Sequence, residues 1–132
     1  MPTFYARWQD LPAAAWRWPH FKPGEIASPD DDSLLVDEEA LDRLEAVRQR
    51  LGKPMRLNSA YRSAAHNRAV GGEADSQHRQ GKAFDVALVG FTRAELKAAA
   101  RAAGFTGIGD YDSFVHIDTG PPRRWDRRTE RP

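Results

Sequence analysis

The chain has no cysteine among its 132 residues, which excludes disulfide bonds and thiolate metal sites. It also lacks any run of about 18 apolar residues, so the sequence predicts no transmembrane helix. Neither sign of charge is in large excess, because the chain has 20 basic and 19 acidic residues and a formal net charge of +1. That balance argues against a protein that coats nucleic acid. The length predicts one domain that spans residues 1–132.

The two ends of the chain differ from the middle in composition. The N-terminal residues lack the apolar core of a secretory signal, so no signal peptide is predicted. Residues 1–33 are rich in tryptophan and proline and predict an irregular arm packed on the domain, with a short helix near residues 11–16. Residues 126–132 are rich in arginine and predict a mobile basic tail.

Helices are predicted from apolar spacing and from capping residues. Apolar residues recur at helical spacing through residues 37–51 and predict the clearest helix, which Gly52 ends. Ser63 and Thr92 have the side chains that cap helix N-termini, and they predict two further helices through about residues 70 and 103.

Strands are predicted in the second half of the chain. Residues 82–89 indicate a strand, residues 107–118 indicate a hairpin, and Pro121 with Pro122 predicts the end of regular structure. Helices and strands alternate irregularly. The sequence therefore predicts an α+β fold with a small, mainly antiparallel sheet flanked by helices.

The candidates for a metal site are few, because the chain has four histidines: His20, His66, His78 and His116. His78 precedes a glycine turn, and Asp85 lies on the predicted strand between small residues that leave room for a ligand cluster. A buried carboxylate without a partner is costly, so Asp85 needs solvent or a cation. Two histidines and a carboxylate form the ligand set of many catalytic zinc sites. The spacing alone leaves open a structural role for each residue.

Three short segments carry a resemblance to a known family. Residues 76–85 read S-Q-H-R-Q-G-K-A-F-D and match every fixed position of S-x-H-x-x-G-x-A-x-D. That motif belongs to the zinc D-Ala-D-Ala carboxypeptidase and peptidoglycan endopeptidase family, whose fold is shared with the hedgehog signalling domain. Residues 114–118 resemble the F-V-H-x-D motif of one branch, and residues 59–63 resemble S-x-Y-R-S. The resemblance covers about residues 36–125.

The resemblance implies roles for particular residues. It implies His78, Asp85 and His116 as zinc ligands. It implies that Arg62 holds a peptide carboxylate or carbonyl and stabilises the oxyanion, since a guanidinium can make two charge-assisted hydrogen bonds. Two further residues are candidates for contact with the substrate: Ser76 and Tyr111.

The general base is the point at which this chain departs from the family pattern. Many members carry an acidic residue three positions before the second zinc histidine, and this chain has Ser113 there. Asp118 is the preferred candidate because it shares a predicted strand face with His116. The alternative for Asp118 is a carboxylate that orients a ligand. Asp112 and Asp110 are further candidates for the base.

The resemblance implies a zinc-dependent peptidase that hydrolyses an amide bond in the peptide stem or cross-link of bacterial peptidoglycan, next to a D-amino acid. Both a carboxypeptidase and an endopeptidase fit. We expect peptidoglycan peptides as partners, no nucleic acid, and a monomer. The site of action is then the periplasm or the outside of the cell. The lack of a predicted signal suits a phage or prophage lysin, or a wall hydrolase carried on a particle.

Two other function classes compete with the peptidase. Ser113 at the usual position of the base motivates a hedgehog-like module that binds zinc, and a cell wall or partner, without catalysis. The five arginines that follow Pro121 motivate nucleic-acid binding, although two acidic residues accompany them. Zinc content without turnover of cell-wall peptides identifies the first alternative. Salt-sensitive binding of DNA through the tail identifies the second.

Overall fold

The computed structural model describes residues 2–129, which form two sheets with helices around them. In chain order the strands are β1 (Thr3–Tyr5), β2 (Leu34–Val36), β3 (Leu57–Ser59), β4 (Ala83–Ala87), β5 (Gly107–Asp110), β6 (Phe114–Asp118) and β7 (Arg123–Asp126). The α-helices are α1 (Pro23–Ile26), α2 (Glu38–Leu51), α3 (Ala64–Ala69) and α4 (Arg93–Ala102). Short 3-10 helices span Trp8–Asp10, Ala13–Ala15 and Gln77–Gln80.

The larger sheet has five strands in the order β3-β4-β6-β5-β7. Its neighbouring strands run antiparallel except for β5 and β7, which are parallel. The strands β1 and β2 form a separate antiparallel pair. The prediction of an α+β fold with a small, mainly antiparallel sheet is confirmed. None of the helices within residues 2–129 is both long and apolar enough to cross a bilayer.

The predicted capping residues begin and end the helices. The Asp37 carboxylate accepts a hydrogen bond from a backbone N–H of the first turn of α2, and Gly52 ends that helix with a φ of 66°. Ser63 and Thr92 cap α3 and α4 in the same way. Each cap pairs a backbone donor that the helix itself leaves free. The helix predictions are therefore confirmed to within one residue at each end.

The core lies on one face of the five-stranded sheet, where α2 and α4 pack against each other and α4 packs on β6. Strand residues that are buried in this core include Phe84, Val86, Ile108, Val115 and Ile117. Successive residues of a strand point to opposite faces. The residues between these apolar positions, Asp85 and His116 among them, therefore point to the other face. The fold thus separates an apolar face from a polar one.

The N-terminal arm contains more regular structure than the sequence predicted. The strand β1 pairs with β2, and the helix expected near residues 11–16 is one 3-10 turn at Ala13–Ala15. Trp18 and Phe21 are only 1% and 3% exposed and belong to the core. A strand of three residues is too short to show a clear alternation of apolar and polar side chains. Such a strand cannot be recognised from the sequence without its pairing partner.

The prediction that regular structure ends at Pro121 and Pro122 was wrong, because β7 follows and pairs with β5. Beyond β7, the backbone N–H of Thr129 donates to the Asp112 carboxylate at 2.9 Å. The chain is thus tied to the domain as far as Thr129. The last three residues of the predicted tail, 130–132, lie outside the described residues.

Candidate metal centre and active-site cleft

Asp85 and His116 face each other across the two central strands of the sheet. They are direct partners in the antiparallel pairing of β4 with β6. The His116 Nδ1 atom lies 3.1 Å from the Asp85 Oδ1 atom. Directly opposed side chains in a sheet stay close, since the ladder holds their backbones together. The pairing register therefore places two candidate ligands side by side on a rigid surface.

His78 reaches the same point from the 3-10 helix at Gln77–Gln80. The Ser76 hydroxyl caps this helix by accepting the His78 backbone N–H at 3.2 Å. The His78 Nδ1 atom lies 2.7 Å from the Ala60 carbonyl oxygen. A carbonyl oxygen can only accept, so Nδ1 carries the proton and Nε2 presents its lone pair. That lone pair faces Asp85 Oδ1 at 3.3 Å.

The spacing of the three side chains suits one small cation. One donor atom from each of His78, Asp85 and His116 lies within 4.8 Å of the other two. Ligand atoms about 2.1 Å from a tetrahedral metal lie roughly 3.4 Å from one another. The separations of Asp85 Oδ1 from His116 Nδ1 and from His78 Nε2, 3.1 and 3.3 Å, are close to this value. The residues present therefore fit a metal ion.

The electrostatics of the cluster also favour a cation. Burial raises the pKa of Asp85, but the neighbouring His116 and His78 side chains lower it further, and the result lies well below the ordinary value. Asp85 is thus an anion at neutral pH. Burial lowers the pKa of His116, while Asp118 and Asp85 raise it, and the net shift is upward. A proton and a metal ion therefore compete for His116 Nδ1.

Asp118 contacts the other nitrogen of the His116 ring. Its Oδ2 atom lies 2.6 Å from His116 Nε2, and both carboxylate oxygens accept hydrogen bonds from Arg123, at 3.0 and 2.8 Å. The side chain is fully buried and does not line the cleft. Its hydrogen bonds lower its pKa to about 2 although burial opposes this. The prediction that Asp118 is the general base does not fit this position, which favours the alternative of orienting His116.

The other carboxylates that were candidates for the base lie elsewhere. Asp112 accepts hydrogen bonds from the backbone and hydroxyl of Thr129, and Asp110 pairs with Arg93 and Lys97. Neither lines the cleft that contains the histidine pair.

Arg62 contacts the second oxygen of Asp85. Its Nη2 atom lies 3.4 Å from Asp85 Oδ2, while Nε and Nη1 donate to Ser59 and Asn67. A guanidinium has five N–H donors, so two remain for a ligand in the cleft. Gly72 makes this arrangement possible, because a Cβ atom there would lie 2.1 Å from the Asn67 amide oxygen.

The cluster lies in a cleft of about 350 Å³, within the range of small-molecule sites. The three residues that were predicted to contact the substrate, Arg62, Ser76 and Tyr111, all line it. Tyr111 stacks on Phe114 with 4.5 Å between ring centroids, and its hydroxyl accepts the Trp125 indole N–H at 2.9 Å. Tyr111 is therefore held in place by two contacts.

The sequence reasoning missed the contribution of β7 to this cleft. The Trp125 ring lies 5.0 Å from the His116 ring and covers Gly109 of β5. A Cβ atom at Gly109 would lie 2.2 Å from the indole, and one at Gly107 would lie 2.2 Å from the Asp118 carboxylate. The alternation of glycine in Gly107-Ile108-Gly109 was the available signal, since glycine in a strand often marks the close approach of another group.

Two imidazole nitrogens and one carboxylate oxygen converge at the base of a polar cleft, and this ligand set is typical of catalytic zinc sites. The chain belongs to the peptidase M15 family, whose model matches residues 18–118. All three candidate ligands lie within the matched residues, whereas the strand β7 lies beyond them.

Named relatives agree with the family. The peptidoglycan L,D-endopeptidase MepK of Escherichia coli K12 is 36% identical over 99 residues, which cover 68% of this chain and 54% of that protein. A zinc D-Ala-D-Ala carboxypeptidase of Streptomyces albus G is 34% identical over 89 residues, covering 63% of this chain and 35% of that protein. The chain thus spans about half the length, or less, of these curated relatives.

Proposed function

We propose that the chain is a zinc-dependent peptidase that hydrolyses an amide bond in the peptides of bacterial peptidoglycan. The observation that carries the proposal is the convergence of His78, Asp85 and His116 on one point at the base of a cleft. The names of the relatives support the substrate, since they describe an endopeptidase of peptidoglycan and a carboxypeptidase that acts on D-Ala-D-Ala.

Zinc is the metal that these ligands suit best. Imidazole and carboxylate donors bind it well, and three protein ligands are typical of catalytic rather than structural zinc sites. The name of the carboxypeptidase relative includes zinc. When bound, a zinc ion supplies Lewis-acid activation of water and of a peptide carbonyl.

Arg62 binds and polarises the substrate in this proposal. Its two remaining N–H donors can hold a peptide carbonyl or carboxylate beside the ligand Asp85. A guanidinium with three hydrogen bonds to the protein is preorganised, so it stabilises developing negative charge without reorganisation. Ser59 and Asn67 therefore position Arg62 rather than contact the substrate.

The proton of the attacking water passes to Glu73 in this proposal. Among the described residues that line the cleft, the carboxylates are Asp85 and Glu73. The Glu73 carbonyl is held by hydrogen bonds from the Asn67 amide and the Ser76 backbone, at 2.7 and 3.0 Å. Its carboxylate is exposed to solvent, which suits a group that accepts and returns protons.

The proposed substrate places the site of action at the cell wall, in the periplasm or outside the cell. Release as a phage lysin stays a prediction. One chain contributes all three candidate ligands, so a monomer suffices for the site. Light scattering after size exclusion tests the monomer, with a single species of 14.8 kDa as the expected result.

The central experiment is digestion of purified muropeptides, with and without a chelator, read by mass spectrometry. We expect cleavage that stops with the chelator and returns on addition of zinc. The mass of the products identifies the bond and so separates a carboxypeptidase from an endopeptidase. His78→Ala should abolish zinc binding and cleavage. His66→Ala is a matched control, since His66 lies outside the ligand cluster.

Two results would contradict the proposal. Cleavage that persists in the chelator, or in His78→Ala with zinc still bound, would show that the cluster is not the catalytic centre. One zinc ion per chain without turnover of any muropeptide would instead identify a zinc-binding module.

A Glu73→Gln variant tests the proton acceptor separately. We expect kcat to fall by roughly 100-fold, because a general base contributes at least that much, with zinc content unchanged. Asp75→Asn, an exposed acid of the same loop that does not line the cleft, is the matched control. Equal rates for the two variants would rule out Glu73.

A further inference from the structure

Three arginines line the cleft: Arg62, Arg123 and Arg127. Two of them already have carboxylate partners, since Arg62 pairs with Asp85 and Arg123 pairs with Asp118. The third, Arg127, is exposed and has no ion-pair or hydrogen-bond partner for its guanidinium among residues 2–129. The cleft thus has one cation whose charge nothing in the described chain balances.

The position of Arg127 is set by the sheet. Its backbone N–H donates to the Asp110 carbonyl at 2.8 Å and extends the pairing of β7 with β5 by one residue. Because side chains alternate along a strand, Arg123, Trp125 and Arg127 share one face of β7. All three line the cleft, whereas Arg124 on the other face does not.

The row from Arg123 to Arg127 therefore forms one wall of the cleft. Its first two members have partners within the protein, because Arg123 pairs with Asp118 and lies over the Trp125 ring, 4.9 Å from the centroid. Trp125 covers Gly109 and donates to Tyr111. Arg127 is the member of the row whose guanidinium makes no hydrogen bond within residues 2–129, so all five of its N–H donors are available to a ligand.

We propose that Arg127 is a specificity-determining residue that binds a free carboxylate of the peptide substrate, on the Trp125 side of the metal centre. The inference rests on the proposed function and adds the substrate class, which is a peptide that carries a carboxylate beyond the scissile bond. This contact is distinct from that of Arg62, which lies on the Asp85 side of the cluster. Arg127 also lies outside the residues that match the family model.

The expected effect is modest, because Arg127 is exposed. A partly exposed ion pair contributes at most about a fivefold change in affinity. Arg127→Gln should therefore raise KM for an acidic peptide about two- to fivefold and leave kcat unchanged. For the same peptide with its carboxylates amidated, the variant and the wild type should have equal KM. Salt should reduce the preference of the wild type for the acidic form.

The experiment compares these two peptides in wild type, Arg127→Gln, Arg127→Lys and Arg124→Gln. Arg124→Gln is the matched control, since it removes the same charge from the same strand on the face away from the cleft. Arg127→Lys should retain most of the preference. Two outcomes would overturn the proposal. In the first, the ratio of KM for the amidated peptide to KM for the acidic peptide is the same in wild type and Arg127→Gln. In the second, Arg124→Gln lowers this ratio as much as Arg127→Gln does.

A binding measurement separates this inference from the proposed function. The acidic peptide and its amidated form are each titrated into metal-free protein in a calorimeter. Without the metal no cleavage occurs, so the titration measures binding alone. Weaker binding of the acidic form in Arg127→Gln alone would support the inference even if no muropeptide is cleaved. Equal binding by both proteins, or no binding of the acidic peptide to the wild type, would refute it even if cleavage is observed.

Discussion

Replacing Asp118 by asparagine tests whether this residue orients a ligand or takes the proton. The change keeps the shape of the side chain and removes its charge. His116 then loses the carboxylate that its Nε2 atom contacts at 2.6 Å. Removing such a carboxylate partner typically lowers metal affinity by about 10- to 100-fold. We therefore expect weaker zinc binding, with cleavage largely restored at saturating zinc.

The effect on stability follows from the pKa of Asp118. That pKa is about 2 in the folded protein, against an ordinary value of 3.8. A difference of nearly two units corresponds to about 2 kcal/mol of unfolding free energy at pH 7. Because the folded pKa is the lower one, this stabilisation is present above about pH 4 and is lost as the pH falls toward 2. The difference between wild type and Asp118→Asn should therefore shrink to about half at pH 3.

The assays are competition with a chromophoric chelator for zinc affinity, urea denaturation of metal-free protein, and kcat at saturating zinc. Asp112→Asn is the control, because Asp112 contacts Thr129 and not the metal ligands. A zinc affinity within about twofold of wild type, together with a loss of kcat greater than about 100-fold, would refute the reasoning. Asp118 would then be the general base that the sequence first indicated.

Three further perturbations follow from the same site. Zinc affinity should fall between pH 8 and pH 6, because the raised pKa of His116 lets a proton compete with the metal. Equal affinities at the two pH values in chelator competition would contradict this. Gly109→Ala should cost about 1–3 kcal/mol of unfolding free energy and move Trp125, since its Cβ atom would overlap the indole. Gly24→Ala is the control, since its Cβ atom would lie at an ordinary 3.4 Å from the Trp8 ring, and it should change tryptophan fluorescence little. Equal responses of the two variants would refute the packing argument. Arg62→Lys should lower kcat/KM at least about tenfold with zinc content unchanged, because an ammonium group cannot make the paired hydrogen bonds of a planar guanidinium. An unchanged kcat/KM would exclude Arg62 from substrate binding.

Much of the fold could be read from short stretches of sequence, because the signals were local. Ser63 and Thr92 cap their helices through hydrogen bonds to backbone groups three residues away. The strand β7 could not be predicted in this way. Its four residues pair with β5 across a separation of 16 positions, and two prolines precede it. Pairing partners that distant leave no periodic pattern in either segment.

The sequence by itself determined which residue types were available to bind a metal. With no cysteine and four histidines, few ligand sets were possible. The resemblance of residues 76–85 and 114–118 to family motifs then implied His78, Asp85 and His116. Strand alternation also placed Asp118 on the same face as His116, but a shared face fits a base and an orienting partner equally well.

Only the tertiary structure gives a reason to prefer the orienting role for Asp118. A histidine ring has two nitrogens about 2 Å apart, and the groups that reach each of them come from different parts of the chain. Asp85 on β4 contacts one nitrogen, and Asp118, held by Arg123 of β7, contacts the other. The role of a carboxylate at a metal site depends on which nitrogen it contacts. That contact is set by packing between strands distant in sequence, which no local pattern encodes.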